Sequence, residues 1–217
     1  MQTYKITFNM SSPLAMQQTI MFDGLLGYAY FCEHGSKEDQ NIGRLNNDTP
    51  FDFSGMPIEV RPDGYHMASW LFYDKDHAAE QIHTSLKKWD ESMDYMVEFG
   101  KSKKQIAIDR GEFKTTQIPY LVINVPQIWF FFKSDDVEDV KGLIEKHIAG
   151  IGKKISRGYG FFSSFSIEKC EDEFEWNILR PIPAKEGYEV APGSRFEYRA
   201  WRMPYWSPDN FTLCRVH

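Results

Sequence analysis

"VEDVKGLIEKHIAGIGKKISRGYGFFSSFSIEKC", Val137–Cys170, joins a helix pattern, a glycine-rich basic run and a strand pattern, in that order. Val137, Val140, Ile144 and Ile148 recur at helical spacing, and Asp135, Asp136, Glu138 and Asp139 crowd the first turns, where the helix dipole favours acids. "FFSSFSIEKC" alternates as a strand does. Between them "GIGKKISRGYG", Gly150–Gly160, holds four glycines, three cations and no acid.

The order decides how this run is read. A phosphate-binding P-loop needs strand, loop, helix and GxxxxGK[ST]; here Lys153 is followed by Lys154, and His147 stands at the first glycine. GxGxxG fails as well, with Ile155 at its last glycine. What remains is backbone at Gly150, Gly152, Gly158 and Gly160 able to approach a phosphate. Lys153, Lys154 and Arg157 supply charge, Ser156 lies in the same run, and Tyr159 offers a ring for stacking. These are the parts of an RNA-backbone clamp. The plainer alternative is a solvated basic turn, although a turn needs only one or two glycines.

Upstream, "YKITFNM" alternates Tyr4, Ile6, Phe8 and Met10 with polar residues and closes at Ser12 and Pro13, which predicts a half-buried strand. "MFDGLLGYAYFCEH" places Leu25, Leu26, Ala29, Tyr30 and Cys32 at helical spacings, with Asp23 as the expected cap. Residues 35–64 read as a long irregular connection. "YHMASWLFYD" reads as a second strand, and Asp76–Asp94 as polar helix or loop with helical turns. "KQIAIDRGEFKTTQIPYLVINVPQIWFFFK" fits two or three strands, with Arg110–Gly111–Glu112 as a turn.

The chain has 217 residues, enough for a sizeable core. Its 25 Lys plus Arg against 31 Asp plus Glu leave a net charge of −6, so any nucleic-acid contact is local. Cys32, Cys170 and Cys214 are odd in number, far apart and without a CxxC pair, which fits a reducing cytoplasm and neither a disulfide framework nor a zinc cluster. Neither an export signal nor an apolar run of membrane-spanning length is expected.

"RGYGFFSSF", Arg157–Phe165, nearly matches the first ribonucleoprotein motif of RRM domains, with Phe162 and Ser164 in place of an aliphatic and an aromatic residue. A simple RRM is much shorter than this chain. The β-α-β-β-α-β order and the glycine-rich loop between last helix and last strand resemble the RAMP superfamily of CRISPR RNA-processing and effector proteins. Within it, "FDGLLGYAYF", "RPIP" at Arg180–Pro183 and "MPYWSPDNFTLC" resemble the small Cas Five-group subunit of type IV CRISPR complexes. The resemblance spans nearly the whole chain. It implies an α+β fold in which one RAMP domain of ferredoxin-like (RRM-like) core covers 1–217. That core occupies roughly 1–170 with an insertion at 35–64, and an aromatic extension follows at 171–217. It further implies a subunit that holds the 5′ handle of the guide RNA and caps a backbone of repeated subunits without cutting. Gly150–Gly160 is then the handle site, other effector subunits are partners, and target DNA near the PAM is a further contact.

Other clusters carry two readings each. Lys101, Lys103, Lys104, Arg110 and Lys114 form either a solvated hairpin face or a contact to guide RNA or PAM-side DNA. Arg195, Arg199, Arg202 and Arg215 lie among Phe196, Tyr198, Trp201, Tyr205, Trp206 and Phe211, a mixture suited to base stacking or a protein interface, with packing of the tail accounting for most of the rings. "RPIP" reads as an extended connector from which Arg180 reaches a phosphate. A metal-independent RAMP endoribonuclease acting on repeat RNA would need a base and an acid, for which His34 and His66 are the candidates; an RRM-like adaptor is the third reading. His77 and His83 are off the spacing of a helical metal pair, and no metal or cofactor is assigned.

Overall fold

A computed structural model describes residues 1–36, 51–87, 114–171, 174, 176, 179–184, 195–205 and 207–216. Within them lie strands β1 (Gln2–Met10), β2 (Leu14–Met16), β3 (Phe72–Tyr73), β4 (Ala79–Lys87), β5 (Thr116–Asn124), β6 (Gln127–Ser134), β7 (Phe162–Lys169), β8 (Ile182–Pro183), β9 (Arg195–Ala200) and β10 (Phe211–Val216), with helices α1 (Phe22–His34) and α2 (Val137–His147). The architecture is α+β, with antiparallel pairing throughout.

The central sheet has four strands in the order β3-β6-β1-β7. Alternation decides its faces: Ile6 and Phe8 of β1 and Ile128, Phe130 and Phe132 of β6 are all fully buried against Phe22, Leu26 and Ala29 of α1 and Val140, Leu143 and Ile144 of α2. Burying one such large apolar side chain contributes about 1.5–3 kcal/mol. The same two strand paths turn a corner at Ser11–Pro13 and Val125–Pro126 and pair again beyond it, Leu14 opposite Ile123 and Met16 opposite Leu121. That second ladder belongs to a three-stranded sheet, β2-β5-β4. The prolines remove donors where the ladder breaks, and Met10 N–H donates to the Pro126 carbonyl at the bend (2.9 Å).

Several expectations need correction. Asp76–Asp94 is not helical as far as Lys87: β4 pairs with β5 over nine residues. Ile82 and Leu86 of β4 are exposed, so no core-facing alternation marked the strand, and cross-strand pairing sets its conformation. "YHMASWLFYD" yields only the two-residue β3 plus isolated bridges at His66, Ala68 and Trp70. Asp23 does not cap α1; Met21 occupies that position with no side-chain cap. Asp23 is instead fully buried. By contrast Asp136 caps α2, accepting from Asp139 N–H at 3.0 Å. The turn at Arg110–Gly111–Glu112 lies outside the described residues. In the irregular connection, Met56 and Ile58 are buried, and Glu59 N–H donates to the Lys133 carbonyl (2.9 Å).

The carboxyl-terminal segment forms a third sheet, β8-β10-β9, and is tied into the first helix. Arg180 and Asp23 are both wholly buried, 3.5 Å apart. The Tyr205 hydroxyl donates to both Asp23 oxygens, at 2.7 and 2.9 Å. Arg180 donates to the carbonyls of His66, Ala68 and Trp201, so its fork is satisfied on several sides. Gly24 lets the Tyr205 ring approach, since a Cβ there would lie 3.2 Å from it. The DGLL, RPIP and PYW stretches are thus one joint.

Candidate nucleic-acid interface

The glycine run begins where α2 unwinds, between the buried Ile148 and Ile151. Ile151 N–H donates to the Gly160 carbonyl (2.8 Å), pinching the ends of the run together. Lys153 N–H donates to the Ala15 carbonyl (2.7 Å) and Gly160 N–H to that of Pro13 (2.8 Å), so the run rides on the β1–β2 corner. Phe161 N–H donates to Ser12 Oγ (2.8 Å). Between these anchors the backbone makes an arc with a short 3-10 turn at Ile155–Arg157.

The glycines divide by task. Gly152 (φ +90°) and Gly160 (φ +75°) combine a left-handed backbone with close approach: a Cβ on Gly152 would lie 2.6 Å from the Ala15 carbonyl oxygen, and one on Gly160 would overlap the Ile151 carbonyl. Gly150 is buried, with Ile155 and the Gly160 carbonyl against it. Gly158 (φ +92°) has open space where a Cβ would go. The expectation that all four present backbone to a phosphate is therefore corrected for the buried Gly150 and Gly160; Gly152 is half-buried and Gly158 exposed.

The cations divide too. Lys153, Ser156, Arg157 and Gly158 are exposed on the arc. Lys153 Nζ donates to Gln17 Oε1. Lys154, left-handed at φ 62°, turns toward β4 and β5, its Nζ 3.3 Å from Ser85 Oγ and 5.8 Å from the Tyr120 ring centroid. Tyr159 is half-buried, edge-on to Tyr120 with ring centroids 6.2 Å apart. Burial first, then the hydrogen bond with Tyr159, raises the Tyr120 phenol above its usual value. The arc offers two exposed cations and no acid, a field that favours a polyanion on this edge despite the acidic whole.

Elsewhere the predicted contacts fare differently. Arg180 is corrected: buried under the tail, it reaches interior carbonyls and presents nothing to a phosphate. Lys114 is exposed next to β5, while Lys101, Lys103, Lys104 and Arg110 lie outside the described residues. His34 is exposed, its ring 4.3 Å from that of Tyr30. His66 is buried, and desolvation lowers its imidazole below the usual value. Among the described residues no cluster of three metal-ligating side chains occurs.

The tail splits as well. Trp201 packs with Tyr65 and Tyr205 joins Asp23, as packing of the tail predicts. Phe196, Tyr198 and Phe211 instead stay exposed on one face of the β9–β10 pair. Between that face and the glycine arc runs a cleft of roughly 740 Å³, lined by Lys153, Gln17, Leu25, Tyr198, Arg199 and Phe211 among others. Sequence reading missed this juxtaposition; its only signal was aromatics alternating along "RFEYRA". Among the described residues no helix is long and apolar enough to cross a membrane.

The sequence model of one family, described as CRISPR type IV associated protein Csf3, matches residues 2–217. No curated protein matches the chain.

Proposed function

The chain belongs to the CRISPR type IV associated protein Csf3 family, and we propose that within an RNA-guided effector complex it holds the 5′ handle of the guide RNA on the arc 150–160. It caps one end of that complex and does not cut. The observation that carries this reading is the pinned arc itself, which sets Lys153, Ser156, Arg157 and the open backbone of Gly158 on one exposed, acid-free edge. Anchored backbone presents those groups without a large ordering cost on binding.

The strand order β3-β6-β1-β7, antiparallel, with both helices packed on one face, supports a ferredoxin-like RAMP core with the glycine loop between last helix and last strand. An RRM-like adaptor would stack bases on the other face of the sheet. There Phe131 is covered by Phe174, ring centroids 4.5 Å apart, which favours the loop over the sheet. Endoribonuclease action through His66 would need the buried imidazole to reach a ribose hydroxyl. Neighbouring effector subunits and target DNA near the PAM are the further partners of this reading, and the cytoplasm its place.

The test mixes the purified chain with labelled single-stranded repeat RNA over a salt series, beside a Lys153→Ala, Arg157→Ala double variant and the same variant with Lys154→Ala added. Binding without cleavage is expected. Each lost phosphate contact flattens the log K against log salt slope by about 0.7 for a single strand. The double variant should account for most of that loss, because Lys154 turns inward. Unchanged binding in the triple variant would remove the arc from the account, and RNA cleavage abolished by His34→Ala would replace it with the endoribonuclease.

A further inference from the structure

We infer that the cleft between the glycine arc and the β9–β10 face takes a nucleotide of the single-stranded guide as it leaves the arc, its base against Tyr198 and Phe211 and its phosphate at Lys153. The inference rests on the proposed handle-binding function and extends it to residues outside the glycine run.

Four observations point this way. The cleft, at roughly 740 Å³, falls within the range of small-ligand sites. Its far wall carries Tyr198, 72% exposed, and Phe211, 36% exposed, with ring centroids 6.1 Å apart and planes inclined by 34°. Leaving two such rings in water has no folding benefit, whereas a base has a π-face for each. The near wall is Gly150, Gly152 and Lys153 themselves, so a strand following the arc enters the cleft without a gap. Lys153 stands on that wall, while Arg199 opposite is engaged by Glu197 at 3.5 Å. A cation held by the neutral Gln17 amide oxygen rather than by an acid, beside an aromatic wall, fits a phosphate with its base better than it fits an apolar peptide segment.

Stacking of this kind is tolerant of base identity, so the cleft would add affinity and register rather than sequence reading. Gln17 and Gln18 both line the cleft; the Gln17 amide is held by Lys153 and the Pro119 carbonyl, so any preference would arise at the exposed Gln18.

The experiment uses the whole chain and repeat-derived single-stranded RNA carrying 2-aminopurine at successive handle positions, with Tyr198→Ala, Tyr198→Phe and the Lys153→Ala, Arg157→Ala double variant. One position is expected to be quenched on binding. Tyr198→Ala should lose that quenching and weaken affinity about 5- to 150-fold, the range of one base–aromatic stack. Tyr198→Phe should keep both. Because Tyr198 is so exposed, its truncation leaves the fold intact, checked by an unchanged denaturation midpoint. If the arc variant weakens binding while Tyr198→Ala stays within twofold and no position is quenched, the cleft inference falls and the arc reading stands. If the chain binds no RNA, both fall. If Tyr198→Ala binds RNA normally but fails to enter the assembled complex, the cleft holds a neighbouring protein and the inference is overturned.

Discussion

Replacing Gly160 by Ala tests whether the arc is held by the contacts described. At φ +75° an L-residue costs about 1–2 kcal/mol relative to glycine. The added Cβ would also overlap the Ile151 carbonyl, so the backbone must move. That movement breaks or lengthens two hydrogen bonds, Ile151 N–H to Gly160 O and Gly160 N–H to Pro13 O, both 2.8 Å, each contributing about 0.5–1.5 kcal/mol net. The total is about 2–5 kcal/mol, which for a chain of this size lowers Tm by roughly 4–20 °C. Gly158→Ala is the internal control: it has the same left-handed penalty but open space around the Cβ, so its cost stays near 1–2 kcal/mol. Urea denaturation of the two variants beside the parent gives the comparison directly. A Gly160→Ala variant no less stable than Gly158→Ala would refute the argument that Gly160 is required by close approach. Handle affinity measured on the same samples should fall further per unit of lost stability for Gly158→Ala, because that backbone is the exposed one.

Three other outcomes are expected. Tyr205→Phe removes the donor on Asp23 and should cost about 1–3 kcal/mol, while Arg180→Met, which leaves the buried carboxylate unpaired, should cost about 3–5 kcal/mol; equal stability of Tyr205→Phe and the parent would show that the joint is not energetically coupled. Hydrogen bonds from Lys146 and then His147 hold the Glu33 carboxyl down at about 2, so its contribution is complete above the ordinary carboxylate range and is lost as pH falls toward 2. The stability gap between parent and Glu33→Gln should therefore narrow between pH 6 and pH 2.5, modestly since the pair faces solvent; a gap that stays constant would contradict that link. Burial pushes the Cys214 thiol up to about 11, leaving roughly one thiolate in a thousand at pH 8, so iodoacetamide on the native chain should spare it in peptide mass spectra, and rapid native labelling would mean that the third sheet opens.

Where one side of an element meets the core, its pattern was readable. β1 and α2 announced themselves by periodicity and β6 by its run of apolar and aromatic residues, because each lays buried side chains on the same apolar layer. β4 did not, since Ile82 and Leu86 face water and the strand exists through its ladder with β5. Asp23 looked like a cap because caps are what acids at helix starts usually are; the partners that bury it, Arg180 and Tyr205, lie far along the chain and leave no local trace. In the glycine run, residue types indicated the arc, but which glycine meets solvent depends on the β1–β2 corner, a contact more than a hundred residues away in sequence. Exposure of Tyr198 against burial around Trp201 was likewise undecidable from alternating aromatics alone.

The joint also places the fold in time. Asp23 and Tyr205 are separated by 182 residues. On a ribosome adding about 5–20 residues per second, the first helix waits roughly 10–35 s for the hydroxyl that will satisfy its carboxylate. Until then, closing α1 over the sheet would bury the Asp23 charge without its partners, a cost that disfavours this packing while the glycine arc is already being synthesised. A chain that pairs a helix with a segment so far downstream commits to that packing only after Tyr205 has been made, and a nascent chain stalled before Arg180 should remain open to protease at α1.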